Sequence, residues 1–422
     1  DRYDKLGVHH KKAFTISWSV DPSASKFHHI YETKDRDKYW ILPILRTTKA
    51  NFSGKVFNLT VEDDHSYIAN TFAVANCGKG GDVLTFLQEY EGMDFPEALK
   101  FLADRVGIKL TSFKSEAVSE KERLFQINLL AARFYNYLLL NHPVGKPALS
   151  YLTEQRGLEM ETIKAFQLGF SPNVPGALKK FLIDKKKFKP RDLEAAGLVI
   201  NRGPNVFDRF AGRVIFPLID HRGNTVGFAG RILPTEKNTN LAKYINSPET
   251  PIYHKGSFLY GINLSRSEIK KTSLAVVVEG QLDVISSWQA GVRNVVATNG
   301  TALTEEQLRF LSRYTDKVIL ALDTDFAGDM ASRRAIELAS EAALEVKVAE
   351  FGDFKDPDEA ARADPEKYKS FLRNAVAIWD FVIASIFSKS EVTSGEGKAR
   401  VSREIVPVLA SISDRIVQAH YI

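Results

Sequence analysis

Apolar and polar positions alternate every second residue in short runs up to residue 76, most clearly in "KVFNLTV" and "HSYIANTFAVAN". A period of two puts alternate side chains on opposite faces, so these runs predict β-strands. From Gly81 the period lengthens. "DVLTFLQEYEGMDFPEALKFLADRVGI" carries helical spacing, with Asp82 as N-cap and a break before Asp94. "KSEAVSEKER" reads as a linker or an exposed helix start, and residues 125–200 as mostly helical. "GRVIFPLIDHRGNTVGFAGRIL" predicts two strands joined by a turn around Arg222–Asn224.

After Thr272 the pattern changes again. "SLAVVVEG", "RNVVATNG", "DKVILALDTD" and "LEVKVAEF" are continuous apolar runs. Helical stretches from Asp283, over "TEEQLRFLSRY" and from Met330 separate them. Strands apolar on both faces that alternate with helices predict a parallel sheet. The fold class expected is multidomain: β-rich at the start, mixed α+β in the middle, α/β with a parallel sheet after it, and helices at the end.

Composition narrows this little. The chain has 422 residues, 44% hydrophobic and 26% charged, ordinary for globular protein and enough for roughly three domains. No apolar run approaches the roughly 20 residues that span a bilayer, so no membrane partner is expected. A single cysteine and no secretory pattern at the start fit a reducing, cytoplasmic setting. With Asp1 first and "VQAHYI" last, both ends read as cut. Charge is more telling once located. Residues 201–271 hold 11 Lys/Arg against 5 Asp/Glu, and residues 272–360 hold 16 acidic against 8 basic. A basic block followed by an acidic one suggests phosphate binding beside metal binding.

The acids fall where a doubly wound sheet has its binding edge, at the carboxyl ends of strands. Glu279 closes the first run, and Asp323 and Asp325 close the third, two residues apart. Asp356 and Asp358 follow the fourth, and Asp283 lies one helical turn beyond Glu279. Converging carboxylates repel unless a cation sits among them, and oxygen donors without His or Cys favour Mg²⁺ or Mn²⁺. A Walker-type ATPase would need G-x-x-x-x-G-K-[ST]; "SGEGKA" has the wrong spacing. The pattern resembles the TOPRIM domain shared by primases, topoisomerases and some nucleases, whose signature Glu and Asp-x-Asp correspond to Glu279 and Asp323/Asp325.

Upstream, "FDRFAGRVIFPLIDHRGNTVGFAGRIL" and "KYINSPETPIYHKGSFLYGI" resemble the catalytic core of the bacterial DnaG-type DNA primases, as do "GTALTEEQ" and "KDPDEA" downstream. Thr324 stands where that family usually has Gly, and Gln281–Leu282 where it usually has Tyr–Met. The resemblance implies templated ribonucleotide condensation, with catalytic acids Glu279, Asp323, Asp325 and Asp283. The metal would be held by Glu279, Asp323, Asp325, Asp356 and Asp358. It further implies single-stranded DNA template, ribonucleoside triphosphates and RNA primer as partners, and a replicative helicase bound through a domain beyond residue 422. Arg209, Arg213, Arg231, Lys243 and Lys255 are expected to line the acidic crevice and grip phosphates, with Tyr244 and Asn246 against a nucleotide. Another TOPRIM enzyme or a non-catalytic single-strand-binding module is the competing expectation.

"CGKGGDVLTFLQ" resembles the end of the primase zinc-binding domain, which makes Cys77 a Zn²⁺ ligand whose partners are not in this chain. The residues before it resemble the C-terminal part of an intein. "GKVFNLTVEDDHSYIAN" resembles the penultimate splicing block, with His65, and "FAVANC" the last block, ending in Asn76 and Cys77. In that chemistry the Asn side chain attacks its own carbonyl, the following thiol accepts the upstream segment, and a His transfers the proton. Ala75 replaces the usual penultimate His, and nothing in residues 1–76 reads as the first splicing block, so cleavage is expected to be slow and self-splicing absent. The domains expected are an intein segment over 1–76, the end of a zinc domain over 77–112 and a basic subdomain over 119–271. A TOPRIM domain over 272–360 and a helical end over 361–422 complete them.

Overall fold

The computed structural model describes residues 82–422 except 92, 94, 109–115, 203–204, 235–241, 301–302, 323–343, 389–393, 411 and 413–414; before residue 82 it describes only eight short strands. Two units result, Asp1–Leu99 and Lys100–Ile422. The first contains antiparallel pairs: β1 (Val8–His9) with β6 (Lys55–Val56), β2 (Ala13–Ser17) with β5 (Arg46–Ala50), β3 (His29–Glu32) with β4 (Lys38–Ile41), and β7 (Ser66–Ala69) with β8 (Phe72–Ala75). Helix α1 (Val83–Glu91) follows them, capped as the sequence predicts, because Asp82 Oδ1 accepts from the Thr85 amide at 2.8 Å. The helix stops at Glu91 and a second, α2 (Phe95–Val106), begins beyond Asp94.

In the second unit "KSEAVSEKER" is the start of a long helix, α3 (Glu116–Asn141), rather than a linker. The stretch expected to be mostly helical is so, with the rest of α3 and several short helices, and it also holds two strands. These are β9 (Gly169–Ser171) and β10 (Val199–Arg202), the latter paired with β11 (Asn205–Asp208). The two predicted strands form, as β12 (Arg213–Ile219) and β13 (Thr225–Ile232), around a turn held by Asp220. Its Oδ1 accepts from the amides of Arg222 and Asn224. With β14 (Tyr244–Asn246) they make an antiparallel sheet of order β14-β13-β12-β9.

The four apolar runs are parallel strands, as their composition requires. β15 (Ala275–Val278), β16 (Val295–Ala297), β17 (Lys317–Leu320) and β18 (Glu345–Val348) pair in the order β16-β15-β17-β18. The sheet extends past the boundary expected at residue 360, because β19 (Val376–Ala377) adds an antiparallel edge strand. Before β15 comes α4 (Ile262–Thr272), and between the strands lie α5 (Gln281–Gln289) and α6 (Glu305–Leu311). Thr304 caps α6 and Gln307 bonds back to the Thr304 amide. After β18 come α7 (Pro357–Ala363) and α8 (Pro365–Arg373), and β19 is followed by α9 (Ile378–Ser388), α10 (Gly395–Ala410) and α11 (Arg415–Tyr421).

The two sheets share an apolar core. Val214, Phe216 and Leu218 on one face of β12 belong to the same buried cluster as Val276 and Val278 of β15 and Leu282, Val284 and Ile285 of α5. The other face of β12, through Ile215, packs with Tyr135 of α3 and Phe228. α3 approaches β9 so closely that a Cβ on Gly169 would sit 2.6 Å from the Tyr135 Cβ and 2.8 Å from its backbone carbon. Only glycine fits there. Gly169→Ala is expected to destabilise the unit by roughly 1–3 kcal/mol, since backbone must move to make room. A lower denaturation midpoint at unchanged slope is the measurement that checks it.

Candidate active site and nucleic-acid interface

A cleft of about 430 Å³ opens between the two sheets. Its acidic wall starts where β15 ends: Glu279 follows the last strand residue, and Gly280 leads into α5. Asp283, one turn on, accepts from the Gly280 amide at 2.9 Å, which fixes the turn that carries Glu279. Asp356 also lines the cleft while its Oδ1 caps α7 through the Glu359 amide at 2.8 Å. Asp323 and Asp325 lie outside the described residues. The strand before them, β17, pairs Leu320 with Val277 of β15, two residues short of Glu279.

Asp358 departs from the expectation of a metal ligand. It is 5% exposed, and both oxygens are taken. Oδ1 accepts from Ser286 Oγ at 2.5 Å and Arg362 Nε at 3.0 Å, and Oδ2 from Arg156 Nη1 at 3.0 Å. A buried carboxylate flanked by two guanidiniums is already neutralised, and a cation would have to displace them. Asp358 therefore anchors Arg156, and through it the basic wall.

That wall is made by Arg156, Arg231, Lys243, Tyr244 and Asn246. Arg231, 7% exposed, donates to the Tyr244 hydroxyl at 2.7 Å and lies over the rings of Tyr151 and Tyr244 at 5.5 and 5.2 Å. Arg156 lies over the same Tyr151 ring at 5.6 Å and donates to its hydroxyl at 2.8 Å. Two cations thus share one aromatic. Lys243 is held below the usual lysine range, first by the Arg231 charge and then by burial and Arg156. Burial pushes the Tyr244 phenol up to about 12, so it stays a neutral hydroxyl. Cations gathered this closely repel one another, and a phosphate between them relieves the repulsion.

Three expected members stand elsewhere. Arg213 is 5% exposed and donates to the carbonyls of Gly230 and Lys243 at 3.2 and 3.3 Å, so it fastens β14 to the sheet instead of facing the cleft. Burial lowers its pKa, and likewise that of the half-buried Arg209, which does not line the cleft. Lys255 is also off the lining; its amide donates to Glu249 Oε1 at 2.8 Å. Sequence reasoning missed Arg156 and Tyr151, which sit in a short helical stretch with no motif, and Asn299, which the "TNG" turn marks only as a tight corner.

No group of three His, Cys, Asp or Glu able to hold a metal occurs among the described residues. The donors that line the cleft are carboxylates with no His or Cys among them, which fits a hard divalent cation held at Glu279. Cys77, His65 and Asn76 lie outside the described residues. No described helix is long and apolar enough to cross a membrane.

A parallel sheet with an acid closing its first strand thus faces an antiparallel sheet that carries the arginines. Residues 276–361 match the Toprim-like family, and residues 134–266 match the N-terminal domain of the DNA primase catalytic core. Residues 55–118 match the CHC2 zinc finger, a span that contains one Cys, Cys77, and one His, His65. Residues 380–422 match the DnaB-helicase binding domain of primase, so that region starts inside the chain and not only beyond residue 422. The chain is 34% identical over 381 residues to the DNA primase of Clostridium acetobutylicum, covering 87% of this chain and 61% of that protein. It is 40% identical over 299 residues to that of Geobacillus stearothermophilus, 69% of this chain and 49% of that protein. It thus spans about half to three-fifths of these relatives' length. The RNA polymerase domain of Mycobacterium tuberculosis primase DnaG, solved with a double-stranded DNA oligomer with a 6-nucleotide overhang, superposes with a TM-score of 0.62 at 32% identity, over 71% of this chain and 95% of that one. A DnaG primase catalytic domain bound to single-stranded DNA gives 0.62 at 30% identity, over 72% and 94%. The chain belongs to the bacterial DnaG-type DNA primase family.

Asp358→Asn should lower stability by about 2 kcal/mol, because a neutral amide cannot balance Arg156 and Arg362, which are themselves partly exposed. Thermal melting checks this. An unchanged midpoint would mean the carboxylate is not the anchor the geometry makes it.

Proposed function

We propose that this chain is the catalytic part of a DNA primase that condenses ribonucleoside triphosphates into short RNA primers on single-stranded DNA. The observation that carries the reading is the cleft that sets Arg231, Lys243 and Tyr244 opposite Glu279. The two arginines, braced on Tyr151, hold phosphates bidentately and without sequence preference. Tyr244 stays neutral and presents a ring edge and a hydroxyl beside them. A Mg²⁺ or Mn²⁺ ion held by Glu279, with Asp323 and Asp325, would supply charge neutralisation at the primer hydroxyl and the leaving pyrophosphate. Asp283 would set the Glu279 turn, and Asp356 would supply a further oxygen. The setting is read as cytoplasmic, and the helices from residue 380 as the start of a contact with the replicative helicase. Residues 77–112 read as the end of a zinc domain, 119–271 as the basic subdomain and 272–360 as most of the Toprim domain.

Primer synthesis on single-stranded DNA, with the products resolved on a gel, separates this from a binding module. Glu279→Gln should reduce synthesis at least about 100-fold while template affinity changes less than about twofold. Arg231→Ala should weaken template binding and flatten its salt dependence by about one unit of slope. Full synthesis by Glu279→Gln would remove Glu279 from the reaction.

Residues 1–76 we read as the C-terminal part of an intein. The reading rests on the sequence, where "HSYIAN" and "FAVANC" carry the residue types that splicing needs. Slow cleavage of the Asn76–Cys77 bond should appear as two fragments by mass spectrometry and vanish in Asn76→Ala. Cleavage that persists in that variant would end the intein reading. Cys77 would then serve as a zinc ligand once joined to an upstream partner.

A further inference from the structure

The wall between the basic and acidic halves of the cleft contains a buried amide that no part of the proposed reaction uses. Asn299, 1% exposed, follows β16 with φ of 66°, the left-handed region, and Gly300 continues it at 74°. Asparagine is among the few residues with a side chain that enter this region at low cost. With that backbone turn, Oδ1, Nδ2 and the carbonyl of Asn299 each meet a different segment of the chain. Its Oδ1 accepts from Gln281 Nε2 on α5, and Gln281 is itself 5% exposed. Its Nδ2 donates to the Tyr253 hydroxyl at 2.9 Å, in the loop after β14. Its carbonyl accepts from Asn246 Nδ2 of β14 at 3.4 Å. The adjoining amides complete the attachment: Thr298 donates to the Val278 carbonyl at 3.2 Å and Gly300 to the Glu279 carbonyl at 3.1 Å.

Asn299 is therefore bonded to the antiparallel sheet's last strand and loop on one side, and to α5 on the other. The next residue in the chain is bonded to Glu279 itself. Apolar packing holds the two sheets together but tolerates small sliding. Directional hydrogen bonds between buried side chains do not, since breaking one leaves a buried polar group without its partner. Resting on the primase reading, we infer that Asn299 is a positioning residue. With Gln281 and Tyr253 it fixes the distance between the phosphate-holding wall and the Glu279 carboxylate, and so sets the rate of the chemical step without contributing to substrate affinity.

The test is a cycle of Asn299→Gly, Gln281→Met and the double variant in the full chain. Glycine keeps the left-handed backbone and removes only the side chain. Asn299→Gly should lower kcat for primer synthesis by about tenfold or more, with KM for nucleotide and the Kd for single-stranded DNA within about twofold. The double variant should be no slower than Asn299→Gly, because both changes break one latch. Independently of activity, hydrogen exchange should speed up at least about tenfold at the Gly300 amide, while the Val277 and Leu320 amides inside the sheet keep their protection. A kcat within twofold of the parent overturns the inference. So does a parallel loss of affinity, multiplication of the two single effects, or unchanged exchange at Gly300. A parent chain that makes no primers counts against the primase reading alone, and the exchange measurement then decides the latch.

Discussion

Everything in the second unit depends on a shared apolar core between two sheets that carry opposite charge. Coulomb attraction between an arginine wall and a carboxylate wall would close the cleft if nothing held it open, and repulsion within each wall would scatter its members. The cluster that joins Val214, Phe216 and Leu218 to Val276, Val278 and Leu282 sets the spacing instead. Charges are then placed at the rim of one packed core, where, on the proposed function, a polyanionic substrate and a cation would complete the balance that the protein leaves unfinished.

Within that frame each wall is stiffened by its own means. The acidic wall uses backbone: a helix turn closed by Asp283 and a left-handed corner at Asn299. The basic wall uses aromatic rings and one buried acid. Tyr151 receives Arg156 and Arg231 on its ring, and Asp358 compensates Arg156 from behind. A guanidinium stacked and bonded on one side retains donors for a phosphate on the other, and it loses less rotamer freedom on binding than a free lysine would.

The parallel sheet was legible in the sequence because buried strands must be apolar throughout, and Glu279 stood out because a polar residue ending such a run has few other reasons to be there. Individual arginines were not, and strand parity explains why. The antiparallel register sets Arg231 opposite Val214 and Arg213 opposite Ile232. Residues directly opposite share a face, so Arg231 joins the Val214 face that meets the parallel sheet. Arg213 lies one residue off, on the face of Ile215, where its Cδ would come within 3.0 Å of a Cβ on Gly230. A motif shows both arginines; only the pairing shows which one reaches the cleft.

The same reasoning accounts for the two aspartates of "KDPDEA". Two apart on extended chain they would point the same way, which is what made both look like ligands. The segment is instead a helix start. Asp356 occupies the N-cap with extended backbone, and Pro357 begins the helix. Asp358 therefore sits inside the first turn, at the contact between α7 and α5, where Ser286 and two arginines meet it. Proline at the first helical position favours that outcome, since its fixed φ suits the helix and its missing amide costs nothing there. Spacing alone assigns a direction to a side chain only after the local backbone is known, and here one proline between two acids divides their roles. Both aspartates line the cleft, where Asp356 caps the helix and Asp358 is committed to Ser286 and two arginines.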